Sequence, residues 1–386
     1  MKTFLFLIAI AFLLMPVSVQ GVCNNLFATV SPDGQHLYFC SDRHGGNYEI
    51  YSSDLDGKSN LVRLTHSIVN NLYPNVSPDG SKIVFQRDDY GSNAEVFIMN
   101  ADGSGLIQLT NNSIYDGYPH FSPDGLKLVF DGWDTEAYPE IFTMDLNGNE
   151  RTQLTNFPGA DWQCSPMYSP EGDFIYFSIG YNADLHLARM DVTGLNIIDI
   201  TPPNPFGIME FGMSFSPDAN HIIFSTMEWT GYNNGCDIVV ADMLGNNWNR
   251  LTNAVSGEWF HSPYWNPVDS MLYYSDNNSA LGYWQIYEMT ASGTDATLLT
   301  DCFNVGVQEN HLTDNNLSAY PVPLMNELNL SMPAGYHVEL YDVLGNLVIR
   351  SYEDKIDMAS FRSGFYFIRF FDRSGMLVQT LKVCRR

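Results

Sequence analysis

Positive charge is scarce in this sequence: 18 Lys and Arg stand against 44 Asp and Glu, a net charge of −26. Nucleic acid and anionic lipid are held by clustered basic side chains, so a chain this acidic excludes both as partners. The acidity otherwise keeps an exported chain soluble; its sharper reading is a preference for cationic partners. Long apolar runs are missing beyond the N-terminus, so no transmembrane segment is expected in the mature chain. The one such run, Phe4 to Met15 behind Lys2, is short for a span and ends at Pro16. Val19-Gln20-Gly21 then offers small residues for cleavage, and residues 1–21 read as a signal peptide. Bulky Val22 argues against a lipid anchor on Cys23.

No CxxC spacing occurs among the six cysteines, which excludes zinc ribbons and thioredoxin-like motifs. Export permits disulfides, and Cys23 and Cys302 flank a repeat region whose ends would meet in a closed ring, so that pair is expected. HExxH and P-loop motifs are absent, and Gly212-Met213-Ser214-Phe215-Ser216 lacks the last glycine of a nucleophile elbow. No cofactor and no metal is expected.

What the sequence has is a repeat. Ser31-Pro32-Asp33-Gly34 recurs at Ser77, Ser122 and Ser169 (with Glu171), at Ser216 (with Ala219), and as Asn266-Pro267-Val268-Asp269, spaced 46, 45, 47, 47 and 50 residues apart. A β-branched or aromatic triplet follows each turn, for example Ile83-Val84-Phe85 and Leu128-Val129-Phe130. Such residues suit a pleated, buried surface. A third strand then opens at Glu49, Glu95, Glu140, Asp184, Asp237 or Gln285, a glycine turn follows, and each copy closes on Leu-Thr or Ile-Thr. One four-stranded sheet cannot bury both its faces. Six copies stacked radially can, so residues 22–300 are expected to form an all-β, six-bladed β-propeller of four-stranded blades.

At these residues the chain resembles the TolB-like propeller repeat (WD40-like β-propeller repeats), seen in a periplasmic Tol-Pal component and in prolyl-oligopeptidase-type enzymes. The likeness rests on Ser-Pro-Asp-Gly, Ser41-Asp42-Arg43, Glu49-Ile50-Tyr51, Asp54-Leu55-Asp56-Gly57 and Leu64-Thr65, and it implies architecture rather than activity. No α/β-hydrolase domain follows the repeats. Residues 301–316 are polar and read as a linker. From 317 to 386 a second β-rich module begins, expected as a small β-sandwich. Tyr320-Pro321-Val322-Pro323, Val338 to Gly345 and Ser363 to Arg369 resemble the type A (Por-type) sorting domain of type IX secretion, despite Val322 where Asn is usual. That resemblance implies the type IX machinery as a partner, with release or surface attachment after this domain and the signal peptide are removed. An ordinary Ig-like binding module is the plainer alternative.

Features repeated from blade to blade are most simply structural, and the acid opening the third strand, present in five of six, is one. The unrepeated loops on one face of the disc are better candidates for function. Trp133, Trp162, Trp229, Trp259 and Trp284 fall there, with Tyr90, Tyr138, Tyr181 and Tyr232. Asp116, Asp161, Glu210 and Glu258 precede innermost strands, where the chain converges on the channel mouth. Flat rings beside carboxylates hold sugars or cationic groups by stacking and charge-assisted hydrogen bonds; the bland reading has the rings plugging the channel and the acids capping turns. His120 and His261 lie near the mouth, with packed histidines as the simpler explanation. Asp276-Asn277-Asn278 reads as a turn that a calcium ion could also use. The expected function is an exported, non-catalytic binding propeller for a glycan, peptide or protein. The alternatives are a polysaccharide lyase or glycosidase using Glu210 and Glu258, and a TolB-like envelope role.

Overall fold

The computed structural model describes residues 23–44, 46–88, 93–133, 139–157, 162–181, 184–201, 207–227, 235–254, 257–277 and 283–300. In the C-terminal part it describes 318–320, 327–332, 335–342, 347–358, 361, 364–371, 373 and 377–385. The signal peptide and linker expected at 1–21 and 301–316 lie outside these residues. The chain divides into two units, Met1–Asp301 and Cys302–Arg386.

The first unit holds six four-stranded antiparallel sheets, each made of four consecutive strands in sequence order. In blade 1 these are Asn25–Val30, His36–Ser41, Glu49–Asp54 and Val62–Arg63. The first strands of blades 2 to 6 are Asn70–Val76, Asp116–Phe121, Trp162–Tyr168, Gly207–Phe215 and Phe260–Trp265. First strands of neighbouring blades touch all round the ring, blade 6 against blade 1 included, which makes them innermost. The second strands are buried on both faces, as their unbroken apolar triplets require; Ile83, Val84 and Phe85 are fully enclosed. Burying one such side chain stabilises by roughly 1.5–3 kcal/mol. The cores lie between blades: Val84, Val96 and Ile98 of blade 2 pack on Leu128, Phe130 and Phe142 of blade 3. Val30, Leu37 and Tyr51 of blade 1 meet Tyr273, Ile286 and Leu299 of blade 6, closing the circle.

Each repeated residue has a local cause. Ser31 donates its hydroxyl to Asp33 Oδ1 at 2.6 Å and accepts the His36 N–H at 2.9 Å, so the side chains hold the turn. Ser77/Asp79, Ser122/Asp124 and Ser216/Asp218 repeat the contact. Blade 6 departs from the motif because Asn266 Oδ1 takes over, accepting the Val268 N–H at 2.9 Å. The closing threonine accepts a strand N–H in all six blades, from Ile50, Val96, Ile141, Leu187, Ile238 and Ile286. In blade 1, Thr65 in turn donates to buried Glu49, which also accepts from Asn71 of blade 2 at 2.8 Å. In blade 1 the repeated acid thus ties one blade to the next.

The turn glycine does a second job. Gly57 has a positive φ, and a Cβ on it would lie 3.0 Å from Thr300 and 3.2 Å from the Leu299 carbonyl, across the blade 6 to blade 1 junction. The other five turn glycines meet the closing Leu or Ile of the preceding blade in the same way, most tightly Gly245 on Ile200. Among the described residues no strand is shared between the first and last blades. Closure rests on such packing and on polar links such as Asn25 Nδ2 to Gln285 Oε1 at 2.8 Å. Cys23 is disulfide-bonded. Cys40, Cys164 and Cys236 are buried thiols outside any disulfide, and the expected partner, Cys302, lies outside the described residues.

The second unit has a three-stranded sheet (Ser318–Tyr320, Glu327–Ser331, Lys355–Asp357) and a four-stranded one (Leu347–Ser351, His337–Asp342, Gly364–Phe371, Leu377–Arg385). Leu328 and Ile356 of the first pack with Val338, Leu340, Ile368 and Phe370 of the second, giving a β-sandwich around one core.

Candidate functional site

Every innermost strand carries a β-bulge at the same register position, and the residue there has a positive φ: Phe27, Tyr73, Tyr118, Ser165, Gly212 and Ser262. An L-residue pays about 1 kcal/mol for this conformation, which glycine adopts without penalty. Only blade 5 uses glycine. Blades 1 to 3 carry bulky aromatics, which the bulge itself does not require, since blades 4 to 6 make it with small residues. These aromatics touch in sequence round the channel. Phe27 and Tyr73 have ring centroids 4.2 Å apart, Tyr73 and Tyr118 4.1 Å, and Tyr118 donates its hydroxyl to that of Tyr73 at 2.9 Å.

The stack continues at both ends. Phe27 lies 5.8 Å from His261 of blade 6, and His261 lies 4.2 Å from Trp284. At the other end Gln86 Oε1 accepts from the Tyr115 hydroxyl at 3.0 Å and the Tyr118 N–H at 3.3 Å. The Tyr115 ring lies 5.9 Å from Trp133. Trp133, Tyr115, Tyr118, Tyr73, Phe27, His261 and Trp284 therefore form one arc over blades 3, 2, 1 and 6. Burial sets the charge state of these groups. It raises the Tyr115 and Tyr118 phenols well above their ordinary range, with Asp131 adding to the push. It lowers the His261 imidazole to about 3. The rings are neutral at physiological pH.

Of the residues expected from sequence, Trp133 and Trp284 are brought together with this arc. Trp259 is half-buried at the junction of blades 5 and 6, its N–H held by Asn277 Oδ1 at 2.9 Å, and among the described residues no ring contact joins it to the arc. The neighbouring Glu258 is half-buried and accepts the Cys236 N–H through its carbonyl at 3.1 Å. Asp116 is withdrawn from solvent. It is fully buried, with Oδ1 2.7 Å from Arg151 Nη2 and Oδ2 2.6 Å from Asn112 Nδ2. Arg151 also covers the Phe142 ring, 3.8 Å from its centroid. Burial raises the Asp116 carboxyl, opposed by Arg151, so this acid is an internal tie. Trp162, expected in a loop, opens the strand Trp162–Tyr168, and Glu210, expected before its strand, lies within Gly207–Phe215. The side chains of both lie outside the described residues, as do Trp229, Asp161, Tyr90, Tyr138 and Tyr232. Asn277 of the Asp276-Asn277-Asn278 turn donates to the Gly257 carbonyl at 3.1 Å, and Asn278 is outside the described residues.

Sequence reasoning missed Phe27, Tyr73, Tyr118 and Tyr115. Aligning the residue before Pro74, Pro119, Pro166 and Pro263 would have exposed the bulge position as one that changes from blade to blade.

Residues 70–231 match the TolB beta propeller domain, and residues 318–383 match the secretion system C-terminal sorting domain. The chain is a TolB-like propeller joined to a type IX sorting domain. Its sorting domain engages the type IX secretion system and places the protein on the cell surface or outside the cell. Among solved structures, a TolB of Agrobacterium tumefaciens is 21% identical with a TM-score of 0.52, over 62% of this chain and 86% of that one. TolB of Acinetobacter baumannii is 22% identical with a TM-score of 0.50, over 60% and 55%. An oligogalacturonate lyase in complex with manganese is 15% identical with a TM-score of 0.51, over 72% and 78%. At these identities the likeness concerns the fold. No curated protein matches the chain in sequence. No helix among the described residues is long and apolar enough to cross a membrane.

Proposed function

We propose that this TolB-like propeller is a non-catalytic binding module that captures a glycan, peptide or protein outside the cell. The observation that supports the reading is the arc from Trp133 to Trp284. Of the seven neutral rings over four blades, Phe27 and His261 are buried, while Trp133, Tyr115, Tyr118, Tyr73 and Trp284 are half-buried and keep area for a ligand. Three of the seven residues sit in a backbone conformation that costs free energy to hold. Aromatic anchors of this kind dominate recognition surfaces because they bury much area with little side-chain freedom to lose.

The experiment is capture by the full chain on glycan and peptide arrays, against the Trp133→Ala/Trp284→Ala double variant. Loss of capture with an unchanged melting temperature supports the reading, and full retention contradicts it. Product release from a captured polysaccharide would instead favour the lyase or glycosidase reading.

A further inference from the structure

The bulge residue and the residue two positions on form a pair in every innermost strand, and the pairs differ. Only blades 2 and 3 combine a half-buried tyrosine with a half-buried polar side chain: Tyr73 with Asn75, and Tyr118 with His120. In blade 1 the pair is Phe27 and buried Thr29, in blade 4 Ser165 and Met167. In blades 5 and 6 the second residue is already used. Ser214 Oγ accepts the Trp265 N–H at 3.0 Å, and the Tyr264 hydroxyl reaches the Val30 carbonyl at 3.5 Å.

Asn75 is oriented by its neighbour. Its Oδ1 accepts the Phe121 N–H of blade 3 at 3.0 Å, which fixes the amide and leaves the Nδ2 hydrogens turned away from that contact. His120 makes no side-chain hydrogen bond among the described residues, and it stands two positions after Tyr118 in the innermost strand Asp116–Phe121. Burial lowers its imidazole to about 4, so it is neutral at physiological pH and offers one donor and one acceptor. Because the ring is only half-buried, a ligand hydroxyl can reach it to pair with either nitrogen.

We propose that Tyr73, Tyr118, Asn75 and His120 form a subsite for a neutral pyranose ring of a glycan. The inference rests on the binding role proposed above and narrows it to one ligand class. A pyranose has an apolar face of C–H groups that lies on aromatic rings and an edge of hydroxyls that both donate and accept. Tyr73 lies between Phe27 and Tyr118, so the sugar face is matched by the side of the half-buried Tyr118 ring turned away from Tyr73, and a neutral imidazole with an oriented amide matches the edge. A uronate fits poorly, because none of the four residues carries a positive charge at physiological pH and Asp131 adds negative potential at Tyr115 and Tyr118.

The test measures binding of the full chain to short neutral oligosaccharides, to their uronate counterparts and to peptides. The native chain should hold the neutral oligosaccharides best. His120→Leu should bind them about tenfold more weakly, and His120→Gln, which keeps a donor and an acceptor, should stay close to native. Equal melting temperatures for both variants exclude a folding effect. If His120→Leu binds like the native chain while Trp133→Ala/Trp284→Ala does not, the subsite is wrong and the aromatic arc stands. If uronates or peptides are held in preference, or no saccharide is held, the ligand class is overturned.

Discussion

Tyr118 and Tyr73 belong to different blades, yet their rings lie 4.1 Å apart and their hydroxyls 2.9 Å apart, each on a residue with a positive φ. The strain and the stack are linked: the bulge turns each tyrosine towards its neighbour, and the contact helps to hold a backbone the residue would otherwise leave. Tyr118→Gly separates the two effects. Relief of the left-handed conformation returns about 1 kcal/mol, while loss of the aromatic pair and of partial burial costs about 2 kcal/mol together. The expected net loss is about 1 kcal/mol in a denaturant titration, with capture abolished. Unchanged capture would show that the stack is structural only.

Gly245 and Gly46 provide a contrast in stability. Both have a positive φ, but nothing lies within 4 Å of a Cβ on Gly46, whereas one on Gly245 would run into the Ile200 carbonyl of the preceding blade. Gly46→Ala should cost about 1 kcal/mol for conformation alone. Gly245→Ala should cost about 3 kcal/mol or more, because it also pushes two blades apart. Chemical denaturation of the two variants checks the difference.

Acid should weaken the ring through the Ser-Pro-Asp-Gly turns. The serine hydroxyl and backbone N–H groups lower the carboxyls of Asp33 and Asp124, and take those of Asp79 and Asp218 to about 2. A carboxyl lowered in the folded state contributes stability that is fully present above its unfolded pKa, about 3.9. That contribution is lost as pH falls from there through about 2. Glu95 and Asp116, raised by burial, act in the opposite sense. Thermal melts should fall steeply below about pH 4, and Asp79→Asn/Asp218→Asn should flatten that limb.

Asp116→Asn should leave ligand capture unchanged, because the carboxylate is spent on Arg151 inside blade 3. Arg151→Met should be the more damaging change, by about 3 kcal/mol, since it leaves a buried carboxylate without its counter-charge. Melting and capture measured on both variants test the placement.

The scaffold was legible because it is periodic. The turn motif, the apolar triplet and the closing threonine each recur six times, and repetition reveals a strand order that one blade alone would not. The channel was not legible. A residue before proline is expected to be extended, so Tyr73-Pro74 and Tyr118-Pro119 read as plain strand, and only the backbone shows the bulge that turns their rings together. Asp116 misled for a related reason. In sequence it resembles Glu210, an acid at a strand start, and nothing local indicates that Arg151, 35 residues on, neutralises it. Trp133 and Trp284 stand out in sequence as large rings outside the repeated pattern, whereas Phe27 sits where an apolar strand residue is expected and Tyr115 differs little from the tyrosines common throughout the repeats.

Hydroxyl-radical footprinting of the full chain with and without a captured ligand tests the binding site most directly. Trp248 is the internal control, packed on Phe224 of blade 5 with its indole N–H on the Gly245 carbonyl. Protection of Tyr73, Tyr118, Trp133 and Trp284 with Trp248 unchanged is the predicted result. Protection of Trp248, with the arc as reactive as in the unliganded chain, would contradict it.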